Sequence, residues 1–207
     1  MYNNLKDGPE SVMITPKPGN DTITIKDGKP LGPYNCSAHC NPPCTLQWKY
    51  KHPSGDFVND TSYDISSLPL PMLNADRTRM TLIRCVAINR VGSANKDIKL
   101  KILYFEDPRV YINEKLQYSS TINEGTPLNV TCLLGGNPTP EVILRKLTAN
   151  KIIGEGHFNY TWIKDAKCSD TSNYSCEGKS SEFESRIQSF HINVTCRFMS
   201  SLQVSIV

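Results

Sequence analysis

Over residues 95–103, Ile98, Leu100 and Ile102 alternate with Lys99 and Lys101. Side chains on a strand point to opposite faces in turn, so this period of two predicts a half-buried strand with its aliphatic residues inward. The same reasoning gives a strand over residues 34–38 with Tyr34, Cys36 and Ala38 inward, and one over 45–50 with Leu46, Trp48 and Tyr50 inward. Residues 81–89 form another, closed by the turn Arg90-Val91-Gly92. Alternation at residues 11–14 and 22–25 is interrupted by Pro16, Pro18 and Gly19, which predicts a first strand broken in two. Residues 57–79 are interrupted by Pro69 and Pro71 and support no assignment.

The second half repeats the plan. Strands are predicted over residues 127–134 (Leu128, Val130, Cys132 and Leu134 inward), 142–147, 158–163, 172–178 and 189–196. In the third of these, Phe158, Tyr160 and Trp162 fall on one face. A length of 207 residues suits two domains, 8–104 and 105–197. The junction from Tyr104 to Pro108 has no Gly/Ser spacer, which predicts restricted bending. Residues 198–207, where Leu202, Val204 and Ile206 alternate again, form a tail or the start of a further domain.

A cysteine frame marks both halves. Cys36 is followed twelve residues later by Trp48 and closed by Cys85; Cys132 is followed twelve residues later by Leu144 and closed by Cys176. Around it lie Cys85-Val86-Ala87-Ile88-Asn89-Arg90-Val91-Gly92, Gly136-Asn137-Pro138-Thr139-Pro140, and Asp170-Thr171-Ser172-Asn173-Tyr174-Ser175-Cys176. These residues resemble the immunoglobulin superfamily in its I-set or C2-type form, over residues 8–197. The resemblance implies an all-β chain of two tandem immunoglobulin-like antiparallel β-sandwiches, with Cys36–Cys85 and Cys132–Cys176 bridging the sheets. It also implies binding rather than catalysis.

Two departures stand out. Ile83 occupies the corner-tyrosine position that Tyr174 fills in the second half, and Leu144 replaces the core tryptophan. A void left by the smaller side chain would cost about 2–5 kcal/mol, so Tyr160 or Trp162 is expected to fill part of it.

The remaining cysteines are read as two further bridges. Cys40 and Cys44 flank Asn41-Pro42-Pro43, which predicts a local bridge stiffening one loop. In the implied topology, Cys168 and Cys196 meet at one end of the second sandwich. The spacing Cys36-X3-Cys40-X3-Cys44 does not match a structural metal site, and no metal or cofactor is expected.

Asn-X-Ser/Thr sequons at Asn20, Asn35, Asn59, Asn129, Asn159, Asn173 and Asn193 favour an exported, glycosylated protein in which cysteines pair. There is no signal peptide or membrane-length apolar run, so the chain reads as an ectodomain fragment whose anchor, if any, lies outside it. Net charge is +3, far from the basic density of a nucleic-acid binder. Residues 1–104 hold 13 basic and 9 acidic residues, giving +4. The four histidines share no motif, and no phosphate loop, nucleophile elbow or zincin helix is present.

Sequon parity divides the labour. Asn129, Asn159, Asn173 and Asn193 fall on outward positions of the second domain, which favours a sugar-coated spacer. In the first, Asn20 and Asn59 are placed in connecting segments, Asn35 is outward with a cysteine in its middle position, and the face of strands 45–50, 81–89 and 95–103 carries no sequon. That face presents Gln47, Lys49, Lys51, Arg84, Val86, Ile88, Lys99 and Lys101. A basic rim around two aliphatics implies an adhesion-type protein partner or self-pairing. The alternatives are a sulfated polysaccharide, a secreted immune pattern-recognition role, and a matrix spacer without a ligand.

Overall fold

The computed structural model describes residues 7–63 and 67–196. The chain divides into two compact units, Met1–Leu103 and Tyr104–Val207. The alternation at Leu202, Val204 and Ile206 lies outside the described residues.

The first unit holds strands β1 (Asp7–Thr15), β2 (Thr22–Lys26), β3 (Pro30–Leu31), β4 (Asn35–Asn41), β5 (Thr45–Lys51), β6 (Phe57–Tyr63), β7 (Ser67–Pro69), β8 (Leu73–Asn74), β9 (Leu82–Ile88) and β10 (Ser93–Phe105). One sheet has the order β1-β4-β7; the facing sheet has β10-β9-β5-β6, with β2 parallel to β10. The prolines at 16 and 18 break the opening strand so that β1 joins one sheet and β2 the other. Between the sheets lie Leu46, Trp48 and Tyr50 of β5, Ile83, Cys85 and Ala87 of β9, and Ile98 of β10. Trp48 packs there without an orphaned donor, because its indole N–H bonds the Leu68 carbonyl at 3.0 Å. Cys36 and Cys85 are joined by a disulfide across it. The proline-broken stretch after Lys51 contains β6, β7 and β8, of which β7 and β8 are only three and two residues long.

No tyrosine closes the corner before β9. Ile83 is wholly buried, and Asp76 organises the turn, its Oδ1 accepting from the Thr78 amide at 2.8 Å and hydroxyl at 2.7 Å. Those bonds hold the Asp76 carboxyl below the usual carboxylate range.

The second unit holds β11 (Arg109–Ile112), β12 (Lys115–Leu116), β13 (Ser119–Asn123), β14 (Pro127–Leu133), β15 (Gly136–Asn137), β16 (Glu141–Lys146), β17 (Lys151–His157), β18 (Asn159–Asp165), β19 (Ser172–Lys179) and β20 (Arg186–Thr195). Its sheets run β12-β11-β14-β18 and β13-β20-β19-β16-β17, with β13 parallel to β20. The last two residues of β10, Tyr104 and Phe105, pair with β15 inside this unit. β17 is not predicted from the sequence, because Gly154 and Gly156 weaken its strand signal. The strand predicted over 158–163 groups Phe158 on one face with Tyr160 and Trp162, whereas Phe158 precedes β18 with a left-handed φ of 60° and is 44% exposed.

Without a tryptophan on β16, the core is filled from other strands. Leu144 is wholly buried, and Tyr160 and Trp162 of β18 pack against the same cluster. The Trp162 ring lies 5.8 Å from Tyr174, which stacks 5.4 Å from Phe190. Tyr160 reaches over β17 at Gly154, where an added Cβ would come within 2.1 Å of its ring. Tyr174 donates its hydroxyl to the Asp170 carbonyl at 2.7 Å, closing the corner; burial and the Asp170 carboxylate push its phenol up.

Disulfides join Cys40 to Cys44 and Cys168 to Cys196. The bond that the resemblance implies between Cys132 and Cys176 is not formed; both are free and buried. The core holds them as a contacting thiol pair, in which the hydrogen bond to Cys176 and then burial push the Cys132 thiol up.

Candidate functional site

The outer face of the β10-β9-β5-β6 sheet is built in rows across the strands. Gln47 lies opposite Val86, which lies opposite Asn95; Lys49 opposite Arg84, opposite Asp97; Lys51 opposite Leu82, opposite Lys99. Ile88 closes the face at the end nearest the β9–β10 turn, 36% exposed. All eight residues singled out in the sequence therefore lie on three adjacent strands, seven of them where β5, β9 and β10 pair. Lys101 stands further along β10, opposite Thr24 of β2 and beyond the reach of β9.

The chemistry of this face is less uniformly basic than the sequence implies. Arg84 holds Asp97 through both Nε at 2.6 Å and Nη2 at 2.7 Å, a forked ion pair that also raises the pKa of the guanidinium. The same guanidinium lies 4.1 Å from the centroid of the Phe57 ring on β6. Arg84 is thus fixed on two sides and its charge is locally compensated. Lys49, Lys51 and Lys99 are the other cations of the three-strand face, with Lys51 Nζ also over the Phe57 ring, 5.9 Å from its centroid.

Sequence reasoning missed Phe57, because its strand lies in the proline-broken stretch. The available signal was its spacing: Phe57 and Asn59 are two apart and so share a face in extended backbone.

Asn59 is not in a connecting segment but on β6, opposite Lys49, and it is exposed. The face is therefore not free of sequons. β6 carries an extra residue at this point: Trp48 faces Thr61 while Lys49 faces Asn59, leaving Asp60 as a bulge. At the opposite border, Asn20 lies in a 3-10 turn, Gly19–Asp21, with a left-handed φ of 50°. It opens onto a recess of about 390 Å³ that Asn95, Asp97 and Lys99 also line. Next to it Asp21 pairs with Lys96 at 2.5 Å, a bond that lowers the Asp21 carboxyl.

At the β9–β10 end the Cys40–Cys44 loop is tied to the turn that follows β9. Asn89 donates from Nδ2 to the Pro42 carbonyl at 2.9 Å, while its Oδ1 accepts from the amides of Val91 and Gly92. The remaining sequons are distributed over both units. Asn35 is half-buried on the middle strand of its sheet, with Nδ2 donating to Ser67 Oγ at 2.5 Å. In the second unit, Asn129 and Asn159 lie on the sheet of β14 and β18, and Asn173 and Asn193 on that of β19 and β20. Asn129 is half-buried and the other three are exposed.

Among the described residues no group of three or more His, Cys, Asp or Glu side chains could hold a metal, and no helix is long and apolar enough to cross a membrane.

The rat protein immunoglobulin superfamily member 10 (Rattus norvegicus) is 30% identical over 179 residues, 79% of this chain and 6% of its own length. Both halves are immunoglobulin-superfamily domains. Mouse hemicentin-2 (Mus musculus) is 26% identical over 167 residues, 72% of the chain and 3% of its own length. The tandem thus spans only a small part of the curated relatives it matches. No family model matches the chain. Among solved structures, titin A168–A169 superposes with a TM-score of 0.62 at 12% identity, covering 84% of this chain and 94% of that one. The Dpr2 Ig1–Ig2 complex with DIP-Theta Ig1–Ig3 gives a TM-score of 0.58 at 17% identity, covering 89% and 65%. The N-terminal four immunoglobulin domains of Dscam1 isoform 1.9 give 0.55 at 19%, covering 89% and 46%. These likenesses establish the tandem fold.

Proposed function

We propose that this immunoglobulin tandem is an extracellular, non-catalytic recognition module in which the β10-β9-β5-β6 face of the first domain binds a protein partner. The observation that carries the reading is the arrangement of Lys49, Lys51 and Lys99 in rows beside Val86 and Ile88, with Arg84 held rigid among them. A fixed apolar strip with a charged surround is the anatomy of a protein interface. Two copies of this face would bring lysine against lysine, so the complementary partner is a different protein with an acidic surface. That one relative in structure was solved as a complex between two immunoglobulin-domain proteins is consistent with such pairing. The second domain, with sequons on both sheets, is the spacer that carries the first.

The test is a panel of recombinant extracellular domains presented to the bivalent chain. Binding to a panel member should fall at least tenfold in a folded Lys49→Glu/Lys99→Glu variant and weaken with added salt. Unchanged binding by that variant would remove the face from consideration.

A further inference from the structure

We propose that Phe57 is a stacking platform for the first sugar of a glycan on Asn59, and that the seated glycan covers the Lys49 border of the partner-binding face. The inference rests on the extracellular reading given above. It starts from Phe57-Val58-Asn59-Asp60-Thr61, where an aromatic precedes the sequon asparagine by two residues. On β6 both residues belong to the face opposite Lys51 and Lys49, and two strand residues span about 7 Å, the reach of an asparagine and one pyranose ring. The bulge at Asp60 locally increases the twist of the strand at the attachment point.

The aromatic is held ready. Arg84 lies over the Phe57 ring at 4.1 Å and is itself fixed by the fork to Asp97, while the side chain remains 37% exposed. A pyranose presents one face made of C–H groups, slightly positive against the negative face of an aromatic ring. Lys51 Nζ also lies over the ring, 5.9 Å from its centroid; a sugar stacking on Phe57 in its place would complete a column of sugar, phenyl ring, guanidinium and carboxylate. β6 is also the edge strand of its sheet, so a sugar there protects an otherwise open ladder. Its position beside Lys49 makes the glycan a regulator of access: an unmodified Asn59 leaves the border open, a modified one closes it.

The experiment uses the exported, glycosylated chain. Mass spectrometry should find Asn59 modified, with reduced occupancy in Phe57→Ala and recovery in Phe57→Trp. Footprinting with an amine-reactive ester should label Lys49 several-fold more strongly in Asn59→Gln than in the glycosylated chain, with Lys101 unchanged as the internal control. After trimming to a single N-acetylglucosamine, Tm should stay about 4 °C above that of Asn59→Gln when Phe57 is present. The two should coincide when Phe57 is alanine. An unmodified Asn59 in a chain whose other sequons are occupied, equal labelling of Lys49, or a Tm difference that survives Phe57→Ala would each overturn the proposal. A chain with no occupied sequon at all would instead overturn the extracellular reading.

Discussion

Tyr160 shows how one substitution in a core propagates through its neighbours. Leu144 leaves volume that a tryptophan fills in the first domain, and Tyr160 and Trp162 approach from the opposite sheet to take it up. The approach is possible because position 154 has no side chain: a Cβ there would meet the Tyr160 ring end at 2.1 Å. Gly154→Ala should therefore cost about 1–3 kcal/mol in urea unfolding, the usual effect of overpacking. Tyr160→Leu in the same chain should recover part of that loss, since contacting residues are not additive. Equal costs in both backgrounds would mean that the glycine is needed for something other than Tyr160.

At the scale of elements, the two ends of the recognition face are organised differently. The β4–β5 loop is closed by Cys40–Cys44 and tied to the β9–β10 turn through Asn89. A loop this short gains only roughly 2 kcal/mol from its bridge in the chain-entropy account, so the constraint matters more for loop order than for fold stability. Replacing both cysteines by serine should lower Tm modestly while amide exchange at Val91 and Gly92 stays protected, because Asn89 holds those amides directly. Asn89→Ala should release them. Strand β6, at the other edge, was not legible in sequence: Phe57-Val58-Asn59-Asp60-Thr61-Ser62-Tyr63 shows no period-two alternation, and Pro69 and Pro71 break the stretch beyond it. That single gap misplaced Asn59 and hid Phe57. The strands beside it were legible, because Leu46, Trp48 and Tyr50, like Ile83, Cys85 and Ala87, alternate without a break.

For the whole molecule, cysteine chemistry reports the compartment. Six cysteines are bridged, while Cys132 and Cys176 are buried without a bond between them. In an oxidising compartment the facing thiols should close as well, so exported protein should show no free thiol after denaturation in the presence of a thiol reagent. Chain kept reduced at this pair should release two thiols on unfolding and none while folded, since the buried Cys132 is not ionised. Exported protein that yields two thiols would mean the second domain folds without its cross-link. The sequence by itself determined the tandem of sandwiches, because period-two alternation and a repeated cysteine frame are local patterns that survive without knowledge of contacts. It also determined which residues of β5, β9 and β10 point outward. Tertiary structure decided what those residues do. Arg84 became a fixed strut because Asp97 and Phe57 flank it, and Asn59 became part of the face because β6 pairs with β5. Such neighbours come from strand order and register, which depend on long-range pairing that no local pattern encodes.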